Sequence, residues 1–377
     1  MQPDRPAPKM RRAMPSGRVP DLSHVQRIYV RAPNWVGDLV MATASFERIR
    51  RAFPRAHITG AMRPILQPLL RGTTFFDDFL PAPKAGGLRG LWQQSQLVRK
   101  GRFDLAVVLP NSPETGLVPL LAGVPLRLGY QQGRPFLMNL GLRAQVRRRW
   151  FQRRMGPRRW AIPMPNYYHD LLDCLGIPPG GIHPVLQVVP EERDWVDHHL
   201  RGLGIRDDER IVLFVVGANY GASKLWMPER FAEVARHFQA RGYRSLVSVG
   251  PAEVELGRRI AAMAGVTGLF DPPLALDKLK ALVARCSLMF TGDTGPRHLA
   301  VALDRPVVCL MGPNDPNYTD YCMERTILIR KEMDCSPCQR KICPLGHHRC
   351  MKDITVEEVV AAGERLLAMG YDRAPAC

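Results

Sequence analysis

The sequence predicts an α/β protein of two domains, each a doubly wound parallel sheet covered by helices. The chain has 377 residues, which is enough for two domains that each bury a core. Short β-branched runs alternate with amphipathic stretches from residue 27 onward, a pattern typical of parallel sheets. Both halves begin with a strand, a glycine-containing loop and a helix. Because ligands bind such sheets at the carboxyl ends of the strands, we expect functional residues in the loops that follow them.

The first predicted domain comprises residues 25–185. Residues 1–24 are basic and Pro-rich and lack periodicity, so they are predicted to be a disordered leader. A strand is predicted at residues 28–31, and apolar residues spaced by three and four predict a helix from Leu39 to Phe53. A second buried strand is predicted at residues 105–109.

The second predicted domain comprises residues 186–377 and follows a Pro-Pro-Gly-Gly break. A helix is predicted to begin with Pro228 in its first turn and to end at Gly242. The predicted strands of this domain are the apolar runs at residues 211–216, 246–249, 288–290 and 307–310.

The charge balance indicates an anionic partner. The formal net charge is +18, from 53 Lys and Arg against 35 Asp and Glu. Two thirds of this excess lies in residues 1–20 and in residues 143–159, where eight Arg occur without an acidic residue. Nucleic acid, a nucleotide and a phosphorylated lipid are the partners that fit such a balance.

Several classes of protein are excluded by the sequence. No run approaches the ~20 apolar residues that a membrane-spanning helix needs. The basic N-terminus lacks the apolar core of a signal peptide, so we expect a cytoplasmic location. The nine cysteines, an odd number, fit a reducing compartment, where disulfides are rare.

Two glycine-containing loops of the second half are candidates for a phosphate site. Asp293, Thr294 and Gly295 join a predicted strand to a helix, whose N-terminus offers N–H donors and a partial positive charge. The other loop, residues 217–224, ends in Lys224, a cation suited to a phosphate oxygen. The alternatives are a helix cap in the first loop and a solvated lysine in the second. Because both loops follow strands of one predicted sheet, together they predict a diphosphate site.

Three acidic residues after predicted strands are further candidates. Glu253 and Glu255 lie where an acid commonly accepts the ribose hydroxyls of a nucleotide, although solvated acids at a helix start are an equal alternative. In the first half, Asp38 lies at a helix start after a strand. Opposite a bound diphosphate its carboxylate could act as a general base, but from the residues alone a helix cap is the simpler interpretation.

A family resemblance runs from about residue 27 to about residue 360. The segments that carry it, in order and spacing, are residues 31–43, 217–226, 291–298, 312–316 and 335–351. In these segments the chain resembles the ADP-heptose:lipopolysaccharide heptosyltransferases of glycosyltransferase family 9, most closely the heptosyltransferase II group. The resemblance implies a GT-B fold, in which two Rossmann-like domains face a central cleft. It also implies that the first domain binds the acceptor and the second binds the ADP-sugar.

The resemblance implies catalytic and binding roles for particular residues. Asp38 matches the catalytic base and Lys224 matches the lysine on the diphosphate. The acceptor hydroxyl would displace ADP in one inverting step, with no metal ion or other cofactor, and the chain contains no Asp-x-Asp sequence. Between Glu253 and Glu255, Glu255 is preferred for the ribose. The donor-binding residues implied are Asn219, Tyr220, Lys224, Glu255, Leu274, Asp293, Thr294, Gly295 and His298.

The Arg-rich segment at residues 143–159 lies in the domain expected to bind the acceptor. It interleaves Arg with Trp150 and Phe151, which suits a phosphorylated lipid A core and an anionic membrane surface. A basic nucleic-acid-binding module is the alternative from another class, since Arg with aromatic residues also binds RNA. It leaves the phosphate loops unexplained, so no nucleic-acid partner is expected. The predicted acceptor contacts are Arg134, Arg147, Arg148 and Arg149.

Cysteine and histidine residues cluster near the C-terminus, namely Cys335, Cys338, Cys343, His347, His348 and Cys350. Their spacing could hold zinc, but it departs from a paired Cys-x-x-Cys arrangement. The family's catalysis does not call for a metal. Buried thiols or a facultative disulfide are therefore favoured, and no metal site is predicted.

The expected function is that of an inverting glycosyltransferase, peripheral at the cytoplasmic face of the inner membrane. It would move L-glycero-D-manno-heptose from ADP-heptose to the heptosyl-Kdo2-lipid A inner core of lipopolysaccharide. The alternative among enzymes is a relative with another sugar nucleotide or acceptor, such as a heptosyltransferase of type I or III.

Overall fold

The computed structural model of the chain describes residues 11–12, 20–83, 86–131, 133–143, 161–217 and 220–370. The chain divides into two compact units. Unit 1 is Met1–Val185 together with Asn317–Thr319, and unit 2 is Leu186–Pro316 together with Asp320–Cys377. Within the described ranges, no helix combines the length and the apolar character needed to cross a bilayer.

Unit 1 contains a five-stranded parallel sheet flanked by helices. In chain order its elements are β1 (Arg11–Arg12), β2 (Arg27–Arg31), α1 (Val36–Ala52), β3 (His57–Met62), β4 (Asp78–Pro81), α2 (Gly87–Lys100), β5 (Leu105–Val108), α3 (Pro113–Leu121), β6 (Leu126–Gly129), β7 (Leu142–Arg143) and α4 (Met164–Leu172). The strand order is β4-β3-β2-β5-β6, and β1 pairs with β7 in a separate antiparallel ribbon. The loop between β2 and α1 therefore leaves the sheet at its central strand.

Helix α1 is held in place by the sheet and by α4. Ile28 and Val30 of β2 are fully buried, as expected for a central parallel strand. On α1, the buried guanidinium of Arg48 donates to the Asp173 carboxylate at 2.7 Å and to the His169 carbonyl at 2.8 Å. These bonds tie the C-terminal part of α1 to the end of α4 and to the turn after it.

Unit 2 contains a six-stranded parallel sheet. Its elements are α5 (Pro190–Gly202), β8 (Ile211–Val215), α6 (Pro228–Ala240), β9 (Arg244–Ser248), α7 (Val254–Ala264), β10 (Thr267–Leu269), α8 (Leu276–Arg285), β11 (Leu288–Gly292), α9 (Gly295–Ala302), β12 (Val307–Leu310), β13 (Thr326–Ile329), α10 (Arg349–Lys352) and α11 (Val356–Ala368). The strand order is β10-β9-β8-β11-β12-β13. The order reverses between β8 and β11, which is where ligands bind in doubly wound sheets.

Aromatic packing fixes the centre of the unit 2 sheet. Phe214 of β8 stacks on Phe290 of β11 with 5.0 Å between ring centroids, and Phe238 of α6 lies 5.2 Å from Phe290. A Cβ on Gly363 of α11 would come within 2.6 Å of the Phe290 ring, so only glycine lets α11 pack this closely. These contacts hold β8 and β11 together beneath the loops at their carboxyl ends.

The predicted fold class is confirmed, with two doubly wound parallel sheets of the GT-B type. Every strand that the sequence predicts is present, within two residues of the predicted bounds. The sequence does not predict β3, β4, β6, β10 or β13. Four of these, β4, β6, β10 and β13, are edge strands, whose short runs become strands only by pairing with a sheet that already exists.

The predicted leader is described only in part. Arg11–Arg12 form β1, and residues 1–10 and 13–19 lie outside the described ranges. The disorder of residues 1–24 therefore stays a prediction.

Candidate active site

Three loops meet at the carboxyl edge of the unit 2 sheet. They follow β8, β11 and β12, which are neighbours in the sheet, so the loops begin about 4.8 Å apart. The loop after β8 contains a 3-10 turn at Ala222–Lys224, and the loop after β11 is Asp293 and Thr294 before α9 begins at Gly295. The loop after β12 contains Asn314. The structure thus brings together the two loops that the sequence marked as phosphate candidates.

Asp293 is the centre of contacts among these loops. Its carbonyl oxygen accepts a hydrogen bond from Lys224 Nζ at 2.7 Å. One carboxylate oxygen lies 3.4 Å from Lys224 Nζ and accepts a hydrogen bond from Asn314 Nδ2, and the other lies 3.4 Å from Arg297 Nη1. One residue therefore connects the loop after β8, the start of α9 and the loop after β12.

The Asp293 cluster carries more positive than negative charge. Burial by itself raises the pKa of Asp293, but the Lys224 ammonium and the Arg297 guanidinium outweigh it and hold the pKa of that carboxyl below its usual range. Asp293 is thus ionised at neutral pH and offsets one of the two cations. Lys224 is 11% exposed and Arg297 only 1%, so Lys224 is the cation that a bound anion can reach.

The N-terminus of α9 adds a backbone donor to this cluster. Thr294 is the N-cap residue, but its side chain makes no capping hydrogen bond. Thr294 Oγ1 lies instead 3.4 Å from Thr291 Oγ1, which donates to the Val215 carbonyl. Pro296 has no N–H, and the Arg297 N–H donates to the Thr294 carbonyl, so the Gly295 N–H is the donor that the start of α9 offers to an anion. The alternative interpretation, in which the Thr294 side chain caps the helix, is therefore wrong.

His298 lies beneath this loop in unit 2. Its Nδ1 is 2.6 Å from the Tyr321 hydroxyl, and the two rings are stacked. Burial and the Arg297 guanidinium lower the pKa of His298 to about 3, so the ring is neutral at physiological pH. His298 is thus a neutral, buried residue of the first turns of α9, and its contact with the donor stays a prediction.

Tyr220 covers the ammonium of Lys224. Lys224 Nζ lies 5.0 Å from the centroid of the Tyr220 ring, within cation–π range, and the Tyr220 hydroxyl donates to the Gln339 carbonyl at 2.7 Å. The two predicted donor residues are thus in contact with each other. Asn219, also predicted to bind the donor, lies outside the described residues.

At the predicted ribose position the structure favours Glu253 over Glu255. A Cβ on Gly217 would lie 3.0 Å from the Glu253 carboxyl carbon, which places that carboxylate over the end of β8. The Glu255 side chain is 90% exposed and lies 3.6 Å from Arg258. Leu274, predicted to pack on adenine, is partly buried in the loop between β10 and α8. The sequence favoured Glu255 for the ribose. The exposed position of Glu255 does not support that choice, which stays a prediction.

Two members of the cluster, Arg297 and Asn314, are missing from the predicted set. Arg297 lies four residues after Asp293, the spacing of an ion pair on a helix, so a sequence signal existed. Asn314 is 21 residues from Asp293, and only the pairing of β11 with β12 brings the two together.

In unit 1, Asp38 lies in the first turn of α1 and is partly buried. The loop before it is held by Arg31, whose buried guanidinium donates to the Ala32 carbonyl at 2.7 Å and to Asn34 Oδ1 at 2.8 Å. The N-cap of α1 is Trp35, and its side chain makes no capping bond. The Asp38 carboxylate is thus placed at the carboxyl end of the central strand by a loop that a buried cation fixes.

Comparison with known proteins decides the family. The sequence model of glycosyltransferase family 9 (heptosyltransferase) matches residues 91–349, more than half of the chain. The chain belongs to this family. It is therefore a glycosyltransferase, and the predicted family is confirmed.

Relatives of this family-9 chain are similar over nearly their full length. Lipopolysaccharide heptosyltransferase 2 of Escherichia coli K12 is 27% identical over 355 residues, covering 90% of this chain and 98% of that protein. The Salmonella typhimurium protein of the same name is 26% identical over 356 residues, covering 91% and 99%. The solved structure of E. coli ADP-heptose LPS heptosyltransferase II has a TM-score of 0.75 at 26% identity, covering 92% of this chain and 99% of that one.

The predicted acceptor arginines of this glycosyltransferase are only partly described. Arg134 is 3% exposed, and its guanidinium donates to the carbonyls of Tyr130 and Ser112 at 2.8 and 3.0 Å. Burial lowers the pKa of Arg134 to about 10. Arg134 therefore holds the loop after β5 in place, and a direct acceptor contact by it stays a prediction. Arg147, Arg148 and Arg149 lie outside the described residues.

The cysteine segment, residues 335–350, lies against the loops of the donor cluster. Every cysteine in the described part of the chain is a free thiol. Among the described residues, no three His, Cys, Asp or Glu side chains are arranged to hold a metal ion. One cavity is lined by the cysteines and histidines of this segment together with Ser223 and Pro313 from the neighbouring loops.

Proposed function

We propose that this glycosyltransferase transfers L-glycero-D-manno-heptose from ADP-heptose to the heptosyl-Kdo2-lipid A inner core of lipopolysaccharide. The observation that carries the proposal is the similarity, over nine tenths of the chain, to a protein named lipopolysaccharide heptosyltransferase 2. The positively charged cluster around Asp293 supports it, because the diphosphate of a sugar nucleotide needs such a site. A nucleic-acid-binding module would not account for membership of a glycosyltransferase family.

The carboxyl edge of the unit 2 sheet is long enough for an ADP-sugar. In strand order it carries Leu274 after β10, Glu253 after β9, Lys224 after β8 and Asp293 after β11. Since neighbouring strands are about 4.8 Å apart, this row extends about 14 Å. We assign adenine to Leu274, the ribose to Glu253, the diphosphate to Lys224 with the start of α9, and the sugar to the Asp293 end.

The proposed reaction is a single displacement at the anomeric carbon. The Asp38 carboxylate takes the proton of the acceptor hydroxyl, and the oxygen attacks the anomeric carbon as the bond to the diphosphate breaks. ADP leaves with the electron pair of that bond, and the configuration at the anomeric carbon inverts. Negative charge grows on the diphosphate in this step, and Lys224 with the Gly295 N–H at the start of α9 stabilises it. These fixed donors supply the stabilisation that a metal ion provides in other glycosyltransferases.

We propose that the enzyme works in the cytoplasm, peripherally at the inner face of the inner membrane. Its acceptor is an anionic lipid, and the excess of Lys and Arg favours such a surface. Co-sedimentation with vesicles that contain anionic lipid tests this association. Binding that is equal for neutral and anionic vesicles contradicts it.

The decisive experiment measures ADP release from ADP-heptose with defined acceptors. We expect turnover with heptosyl-Kdo2-lipid A, undiminished by EDTA, and little turnover with Kdo2-lipid A. Turnover with Kdo2-lipid A alone would overturn the acceptor assignment. Release of nucleotide only from another sugar nucleotide would overturn the donor assignment. The anomeric configuration of the product, read by NMR, tests inversion.

The ribose assignment predicts opposite results for two neighbouring acids. Glu253→Gln removes a charged acceptor from the ribose, so we expect the KM for ADP-heptose to rise about tenfold or more with kcat little changed. Glu255→Gln, the matched control, changes an exposed side chain and leaves both constants unchanged. If only Glu255→Gln raises the KM, the preference derived from the sequence is right and Glu253 has another role.

A further inference from the structure

The loop that carries Tyr220 and Lys224 is hydrogen-bonded to the cysteine segment. The Tyr220 hydroxyl donates to the Gln339 carbonyl at 2.7 Å, and the Ser223 N–H donates to the Lys341 carbonyl at 3.0 Å. The Ser223 hydroxyl donates to the carbonyl between these two, that of Arg340. Three consecutive carbonyls of the cysteine segment therefore receive hydrogen bonds from this loop.

Close packing accompanies these hydrogen bonds. A Cβ on Gly221 would lie 2.5 Å from the Lys341 carbonyl oxygen, so residue 221 must be glycine for the two backbones to approach. Such an approach leaves the loop little freedom to move away from the cysteine segment.

The side chain of His348, in the cysteine segment, contacts the loop that carries Tyr220 and Lys224. Its Nε2 lies 2.8 Å from the Ser223 carbonyl oxygen and donates to it. His348 has a left-handed backbone, with φ of 53°, at the N-cap of α10. The hydrogen-bond contacts of its neighbour His347 are instead within the cysteine segment, at the Arg349 N–H and the Cys335 thiol. The two adjacent histidines thus differ in backbone conformation and in the hydrogen bond to the residue before Lys224.

The same segment also supports the loop after β12. The Ser336 hydroxyl donates to the Gly312 carbonyl at 2.7 Å, and the Gln339 N–H donates to the Pro313 carbonyl at 2.8 Å. This loop carries Asn314, which binds the Asp293 carboxylate. The cysteine segment therefore connects both loops that flank Asp293 on the edge of the sheet.

We propose that the cysteine segment positions the diphosphate-binding loop and that His348 is its positioning residue. The proposal rests on the proposed function, because it assigns the diphosphate to Lys224. His348 acts through the Ser223 carbonyl, which fixes the backbone immediately before Lys224, and it does not itself touch the donor. The segment thus sets how tightly the nucleotide is held and where Lys224 lies relative to the diphosphate.

The test compares matched substitutions at the two histidines. Asn tolerates a left-handed backbone but is too short to reach the Ser223 carbonyl, whereas Gln is long enough to donate to it. We expect His348→Asn to weaken ADP binding, measured by calorimetry, about fivefold and to raise the KM for the ADP-sugar by a similar factor. His348→Gln restores most of the affinity, and His347→Asn binds ADP like the unchanged enzyme. Equal effects at both histidines would overturn the proposal.

Two further variants separate this proposal from the assignment of Lys224. Tyr220→Phe removes only the bond to the Gln339 carbonyl and is expected to weaken ADP binding as His348→Asn does. If Lys224→Met leaves ADP binding unchanged, the proposed donor site is wrong. If Lys224→Met weakens binding but His348→Asn and Tyr220→Phe do not, only the positioning role is wrong. A double variant of His348→Asn with Lys224→Met is expected to lose less than the sum of the two single losses.

Discussion

Asp38→Asn is expected to lower kcat about a hundredfold to ten-thousandfold while ADP binding stays unchanged. Asn cannot take the proton of the acceptor hydroxyl, and general-base catalysis contributes a factor of this size. The donor residues lie in unit 2 and Asp38 lies in unit 1, so nucleotide affinity measured without acceptor is not altered. The measurement is ADP release at saturating concentrations of both substrates, with calorimetry for the affinity of ADP.

The control for Asp38 lies on the same helix. Glu47 on α1 is partly exposed and pairs with Arg51. Glu47→Gln removes one carboxylate from α1, as Asp38→Asn does, and is expected to leave turnover unchanged. The pH profile adds a second readout, because the acidic limb of kcat/KM belongs to the base and disappears in the Asp38 variant. An Asp38→Asn enzyme that turns over at the unchanged rate would refute the assignment of the base.

Lys224→Met is expected to lower kcat about a hundredfold to a thousandfold and also to weaken ADP binding. The ammonium is the more accessible cation of the Asp293 cluster, and a fixed donor at a developing negative charge contributes a factor of this size. Unlike Asp38→Asn, this substitution acts on the nucleotide itself, so both kcat and the affinity for ADP change. Steady-state kinetics and calorimetry measure the two effects separately.

Lys331→Met is the control for loss of a lysine in the same unit. Lys331 pairs with Glu358 and is partly exposed, with no contact to the Asp293 cluster. We expect it to leave kcat and ADP binding unchanged. Equal losses in both lysine variants would show a general effect of charge and contradict a specific role for Lys224.

Lys224→Met also changes the response of the fold to acid. The lowered pKa of Asp293 contributes stability above the unfolded pKa, and that contribution is lost as the pH falls through the folded value. Without the Lys224 ammonium the folded pKa rises, so the loss begins at a higher pH. Acid unfolding followed by circular dichroism therefore shifts to higher pH in Lys224→Met. It shifts less in Lys331→Met, because Lys331 lowers the pKa of Glu358, a carboxyl that is far more exposed than Asp293.

The sequence correctly predicted the features that depend on residues close to each other in the chain. The apolar run at residues 211–216 and the loop at residues 291–295 predicted a buried strand and a strand-to-helix turn, and both are present. These features depend on side-chain pattern and on glycine within a few residues, which a linear sequence displays directly. The family, too, followed from motifs whose order and spacing are properties of the chain alone.

The sequence did not predict contacts between segments that are distant from each other in the chain. The spacing of Glu253 and Glu255 left the ribose acid open, because the turn Pro251–Glu253 decides which carboxylate faces Gly217. Arg134 was predicted to contact the acceptor, yet its guanidinium is buried and donates to Ser112 and Thr115. In both cases the direction of a side chain depends on segments that the local pattern does not specify.

The amino-acid sequence by itself determined the two doubly wound sheets, the phosphate loops and the heptosyltransferase family of this protein. Only the tertiary structure decided that Asp293 holds Lys224 and Asn314 together and that His348 supports the loop before Lys224. The physical reason is that parallel strands distant in sequence become neighbours about 4.8 Å apart. The loops that follow them then exchange hydrogen bonds that neither loop's own sequence encodes.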